Sequence, residues 1–232
     1  MGGARQDGSF GLLNAGILCG VLAPLFWVAA IALCGTLRPG FSHYTQYISE
    51  LGERGSSTEL LMRYGAFAAT GLMHLAFAAA LAVIFRSSRL GVLAAILLGV
   101  NGLARIGAGF FPCDAGCEET GSLGQQMHSL SAAVGFLSLA ISTVLWSVVF
   151  KRAPNLRKLS AYSVASGILG LAFLLLMVAN AEPGTARGLF ERLSSGVLSL
   201  WILLFALRLR RSQSATSRKP RSRTLPTLSR RR

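Results

Sequence analysis

The sequence predicts an all-α, polytopic six-helix transmembrane bundle with an outer-face loop or interfacial helix between its first two spans. Three observations lead there. The 232 residues are 52% hydrophobic and only 14% charged, against about 25% charged in a soluble domain. Apolar residues run in blocks of spanning length, and mean hydropathy is +0.54. Lys and Arg collect in one set of connections while Asp and Glu collect in the other. That composition is inconsistent with a disordered chain, a secreted disulfide scaffold or an ordinary cytosolic enzyme.

A spanning helix needs roughly 20 mostly apolar residues at about 1.5 Å rise each. Six stretches qualify: 11–36, 62–85, 90–111, 127–150, 159–180 and 189–207. They are too long and too rich in Ala, Leu and Gly for strands, and they lack period-2 alternation. The first exceeds the roughly 7–15 apolar residues of a signal peptide. Leu33 also stands before Cys34, where a lipoprotein cleavage site needs a small residue. It is read as a retained helix, with Pro24 a candidate kink. The chain is thus expected to divide into a cytoplasmic N-terminus (1–10), a six-span domain (11–207) and a disordered basic cytoplasmic tail (208–232).

Orientation follows from the positive-inside rule. Arg86 and Arg89, then Lys151, Arg152, Arg157 and Lys158, then the basic tail, fall in one set of connections. Eight of the nine acids fall in the opposite set, and none follows Glu191. Both termini are expected in the cytoplasm, with the chain integral to the plasma (inner) membrane. The tail holds ten of the 23 Lys and Arg, which makes much of the +14 net charge local. It is read as a topology anchor touching anionic lipid rather than as a nucleic-acid arm.

Polar groups inside apolar spans are costly and therefore informative. Asn101 and Arg105 lie four apart on one face of the third span. Arg105 sits about 9 Å below the outer end, shallow enough to snorkel, but Asn101 one turn deeper cannot. The shared face is therefore expected to point inward, with Arg105 paired to Asp114 or Glu50 near His128. In the fourth span His128, Ser131, Gly135, Ser138 and Ser142 follow spacings of 3, 4, 3 and 4. That is a continuous helical face, either a small-residue packing surface or a polar wall leading inward. His74, mid-way in the second span, reads as a hydrogen-bonded packing residue.

Two outer segments differ from ordinary linkers. The first, 42–52, concentrates aromatics, a histidine and an acid. As a helix it would set Tyr44, Tyr47, Ile48 and Leu51 on an apolar face lying on the membrane, with His43, Gln46 and Glu50 on a polar one. The second is Phe111-Pro112-Cys113-Asp114-Ala115-Gly116-Cys117. Two cysteines four apart on an outer face suggest a small disulfide loop turned by Asp-Ala-Gly. Zinc is the competing reading, but the usual two close pairs are missing and only His43 and His128 could complete the site. No metal or cofactor is expected. Cys19 and Cys34 read as apolar fillers.

Tyr47-Ile48-Ser49-Glu50 and Gly52, then Pro112-Cys113-Asp114, Gly116-Cys117 and His128, resemble the membrane family catalogued as domain of unknown function 998. The resemblance runs from Leu12 to Leu207 with six spans in order, and it implies a fold but no activity. A weaker similarity links the Ile-Ser-acid segment and the histidine of the fourth span to the Frag/DRAM/Sfk group of six-span proteins, some tied to lipid remodelling.

Two kinds of function fit these residues. His43, Glu50, Asn101, Arg105, Asp114 and His128 all map to the outer quarter of the bundle, where such groups bind a phosphate headgroup or do acid–base chemistry. Ser49 is a nucleophile candidate by position alone. No Gly-x-Ser-x-Gly, His-Glu-x-x-His or phosphate-loop motif is present. Otherwise the polar groups satisfy one another in a non-catalytic bundle. The leading expectation is a non-catalytic or lipid-binding protein whose partners are membrane lipids and not nucleic acid. A lipid-modifying enzyme and a transporter are the alternatives.

Overall fold

Every apolar stretch forms one helix. The computed structural model describes residues 3–118 and 121–217, with the side chains of 11–118 and 121–212. Helices α1 (Gly3–Leu37), α2 (Leu61–Ile84), α3 (Arg89–Phe110), α4 (Leu123–Lys151), α5 (Leu159–Ala179) and α6 (Arg187–Ser217) follow in order. The first eight residues of α2, Leu61–Ala68, are π-helical. All six helices are long and apolar enough to cross a membrane, and no strand occurs among the described residues. The Ser88 hydroxyl caps α3 by accepting the Gly91 N–H, and Ser122 caps α4 by accepting that of Gln125. Helix α6 continues through Arg210 to Ser217, because backbone bonding needs no apolar side chains. The remaining basic residues lie outside the described ones.

Consecutive helices pack side by side, and α6 closes the ring on α1. Lipid tails are as apolar as the side chains, so helices associate through close packing rather than hydrophobic burial. The α2–α3 crossing depends on this. A Cβ on Gly71 would stand 2.6 Å from the Gly102 carbonyl oxygen, and one on Gly102 2.8 Å from that of Gly71. Only paired glycines allow that approach, and it brings Thr70 within reach of Arg105.

Two apolar cores result. The larger fills the end that carries the basic connections. There Trp146 packs on Phe85 and Phe205 with ring centroids 4.8 and 4.9 Å apart, and Phe150 on Phe205 at 4.7 Å. The smaller, around Trp27, Ile48, Leu51, Met62 and Phe67, lies at the opposite end, called here the loop end. His74, Asn101 and Arg105 fall between the two along α2 and α3.

The segment linking α1 to α2 is not an interfacial helix. Its only helical part is a 3-10 turn, Ser49–Gly52, and all four residues are buried. Ile48 and Leu51, expected on the membrane surface, are 1% and 0% exposed. The reason lies in the polar groups beside them. The Glu50 carboxylate accepts the Tyr47 N–H (2.9 Å) and the Gln46 side-chain amide (2.7 Å), and it pairs with Arg187 (3.2 Å). Arg38 binds the Glu50 carbonyl and pairs with Glu53 at 2.5 Å. Leu189 donates to the Tyr44 carbonyl, and Arg187 and Arg192 to those of Thr45 and Gln46. The start of α6 thus draws the segment into the ring.

Candidate functional site

Ser49 enters the ring from the loop and meets His128, five residues into α4. The Ser49 hydroxyl lies 2.9 Å from His128 Nε2. His128 Nδ1 faces the carbonyl oxygens of Ala108 (3.0 Å) and Phe111 (2.8 Å). Carbonyls only accept, so Nδ1 carries the proton. In the neutral ring Nε2 then presents its lone pair and Ser49 donates to it. Phe67 packs edge-on against the imidazole, centroids 6.0 Å apart.

Ser49 is held from both sides. The Ile48 N–H donates to Glu191 Oε2 at 2.5 Å. On the other side, Cys113 is disulfide-bonded to Cys117, with Cα atoms 5.1 Å apart. Cys113 Sγ lies 3.5 Å from the Ser49 carbonyl oxygen. The Arg54 N–H donates to the Cys113 carbonyl, and the Gly116 N–H to Glu53 Oε2 at 2.7 Å. The two loops interlock around the Ser49 backbone.

Behind Ser49 lies a small central cavity of about 50 Å³, walled by α1, α2, α3, α4 and α6. Asn101, Arg105 and His74 line it. Asn101 Nδ2 donates to the Gly135 carbonyl at 2.9 Å, which orients the amide so that its oxygen accepts from His74 Nδ1 at 2.7 Å. Ser138 and Ser142 bond to backbone carbonyls, so the deep part of the α4 stripe is a packing face.

Arg105 points into the bundle as expected, but its expected acid partner is absent. Nε donates to Thr70 Oγ1 at 3.0 Å, and the guanidinium lies over the Trp27 ring, 3.8 Å from its centroid. Nη2 is buried without a partner. Depth along the helices placed Asp114 and Glu50 nearby, but both are committed elsewhere. Glu50 belongs to Arg187, and Asp114 accepts the Ser122 N–H (2.7 Å) and hydroxyl (2.9 Å). Those two bonds hold the Asp114 carboxyl below its ordinary value, with a weaker contribution from Arg54.

A second cavity, of about 380 Å³, lies between α4 and α5 at the loop end. Leu137, Leu174, Met177 and Val178 make it apolar. It shares Ser49, His128, Ala132, Phe136 and Glu191 with the central cavity. The serine–histidine pair therefore stands at the junction of an apolar groove and a mostly apolar chamber into which Asn101, Arg105 and His74 project.

Of the seven residues expected to form one site, Ser49, Asn101, Arg105 and His128 line the central cavity. His43, Glu50 and Asp114 do not. His43 lies across α1 beside α6, where it accepts from Arg192 Nε at 3.1 Å. Burial, then the Arg192 charge, pushes its pKa down. Trp27, Thr70, His74 and Glu191 belong to the site and were not expected there. A lone Trp in the first span and the one buried acid of α6 were the available signals. Among the described residues no group of three or more His, Cys, Asp or Glu could hold a metal ion.

The family model described as "Protein of unknown function (DUF998)" matches residues 21–208. The chain belongs to that family. No curated protein and no solved structure matches it. The DUF998 match covers α1 from Val21 onward, both interlocked loops and every cavity-lining residue named above. The weaker similarity to the Frag/DRAM/Sfk group is not shown.

Proposed function

We propose that this multi-pass protein binds a lipid of the outer leaflet, acyl chain between α4 and α5 and anionic headgroup in the central cavity. In this reading the membrane is the plasma (inner) membrane. Both termini are cytoplasmic, the loop end faces outward, and the basic tail 208–232 serves as a topology anchor on anionic lipid. The observation that carries the proposal is the junction at Ser49 and His128, where an apolar groove adjoins a chamber in which Arg105 makes no salt bridge and its Nη2 has no partner, although Glu191 also lines the wall. Thr70 and Trp27 hold the guanidinium, but no carboxylate neutralises its charge. Retaining a guanidinium whose Nη2 has no partner makes sense where an anionic ligand supplies it.

Lateral entry fits the packing better than passage through the bundle. The aromatic core around Trp146, Phe150 and Phe205 fills the far half of the ring, so the chamber leads sideways into the groove rather than onward.

The test is photo-crosslinking in nanodiscs of phosphatidylglycerol carrying a diazirine on one acyl chain. Adducts should concentrate on Leu137, Leu174, Met177 and Val178. Labelling spread evenly over lipid-facing residues such as Leu72 and Leu103 would contradict the proposal.

A further inference from the structure

We propose that the Ser49–His128 pair is a catalytic dyad that hydrolyses a carboxylic ester of a glycerophospholipid. The inference rests on the lipid-binding reading and assigns chemistry to that same site.

Three observations carry it. The first is the direction of the hydrogen bond. Because Ala108 and Phe111 carbonyls fix the proton on Nδ1, the Nε2 lone pair faces the Ser49 hydroxyl at 2.9 Å. That is the geometry of a hydroxyl nucleophile and its general base, with the orienting role taken by two backbone carbonyls. The second is the support around the serine. A 3-10 turn, the Glu191 bond to Ile48 and the Cys113–Cys117 bridge hold one short hydroxyl in place. A residue that only filled space would not require this much constraint. The third is position. In a glycerophospholipid the ester linkage lies between the acyl chain and the phosphate. Ser49 and His128 line both cavities, so a chain in the apolar groove and a phosphate beside Arg105 leave the ester at the dyad.

The steps balance with water as co-reactant. Ser49 Oγ attacks the ester carbonyl carbon while its proton passes to His128 Nε2. The bond between that carbon and the glycerol oxygen breaks, and Nε2 returns the proton to the departing oxygen. Water then attacks the acyl–Ser49 ester and gives a proton to Nε2. The fatty acid leaves and the proton returns to Ser49. Arg105 touches the substrate's anionic group, and Glu191 is a positioning residue that acts through Ile48.

The experiment uses the full chain in nanodiscs of 1-palmitoyl-2-oleoyl phosphatidylglycerol, with an ether-linked analogue as a second arm. Fatty acid release is read by mass spectrometry. A fluorophosphonate carrying one alkyl chain is applied in parallel, and its adduct is mapped by peptide analysis. The inference expects acid from the ester lipid alone and a covalent adduct on Ser49. Ser49→Ala and His128→Ala should each lose at least about 100-fold in release, in the range general acid–base catalysis supplies. Diazirine labelling of the α4–α5 groove should persist in Ser49→Ala, which shows the variant is folded and loaded. Groove labelling with no acid release and no adduct in the unmodified chain overturns the dyad and leaves lipid binding standing. Release unchanged in Ser49→Ala also overturns it. Absence of groove labelling in the unmodified chain overturns both readings.

Discussion

The Arg105 guanidinium lies 3.8 Å from the centroid of the Trp27 ring, and no carboxylate takes the place a salt bridge would have filled. An arginine over an aromatic face is attracted by the ring quadrupole, by about 2 kcal/mol when desolvated. The Thr70 bond adds about 1 kcal/mol. Together these roughly offset the ~2.5–3.5 kcal/mol cost of the charge in a span. Arg105→Leu is therefore expected to change thermal stability in detergent little, within about 1 kcal/mol. Arg63→Leu should cost more, because Arg63 pairs with Glu59 (2.5 Å) and donates to the Gly109 and Phe110 carbonyls. This reverses the order expected had Arg105 been salt-bridged. Melting curves of the two variants decide it.

The Glu50–Arg187 pair ties the first loop to α6, with side chains 3% and 10% exposed. Removing one partner of a buried pair strands the other charge, at about 3–5 kcal/mol. Glu50→Ala should thus be among the most destabilising single changes in the loop. Glu50→Gln should recover part of the loss, since its amide oxygen can still accept the Tyr47 N–H. Denaturation midpoints in mild detergent measure both.

How much of this was legible in the sequence follows from what each signal encodes. Span positions were, because apolar length is a local property: 159–180 was expected and Leu159–Ala179 is found. So was the disulfide, from spacing and a turn. The inward face of Asn101 and Arg105 was legible too, since an amide cannot snorkel. The partners were not. Depth along a helix gives height but not direction around the ring, so Asp114 and Glu50 sat at the right level and in the wrong place. The Ser49–His128 contact joins residues 79 apart in sequence through a loop drawn inward by α6. Amphipathic periodicity in 42–52 pointed to the membrane surface instead, because it cannot distinguish lipid from protein as the apolar neighbour.

Acid should loosen the start of α4. Asp114 binds the Ser122 backbone and hydroxyl, which lowers its folded pKa below the unfolded value of about 3.9. Its contribution is therefore fully present above that pH and is lost as pH falls through the lower, folded value. Hydrogen-exchange protection around Ser122–Gln126 should hold from neutral pH to about 4 and decline below. Asp114→Asn should show reduced protection at neutral pH and a flatter acid response. An unchanged profile in Asp114→Asn would count against this assignment.

The disulfide closes a ring of five residues, and chain entropy alone assigns so small a loop roughly 2 kcal/mol. Its larger role is local, because the bridge sits against Ser49. Replacing Cys113 and Cys117 by alanine should lower global stability by about 2 kcal/mol or less and raise exchange at Ser49–Glu53 and Cys113–Cys117. Exchange rising over the whole bundle instead would mean the bridge supports the fold rather than the loop.

A bound lipid is expected to lie across the junction of groove and chamber. Electron cryo-microscopy of the chain in phosphatidylglycerol nanodiscs tests it most directly. Continuous density is expected between α4 and α5, running from Leu174 and Met177 past Ser49 and ending beside Arg105. A groove closed by its own side chains, or lipid density confined to the bundle's perimeter, would contradict it.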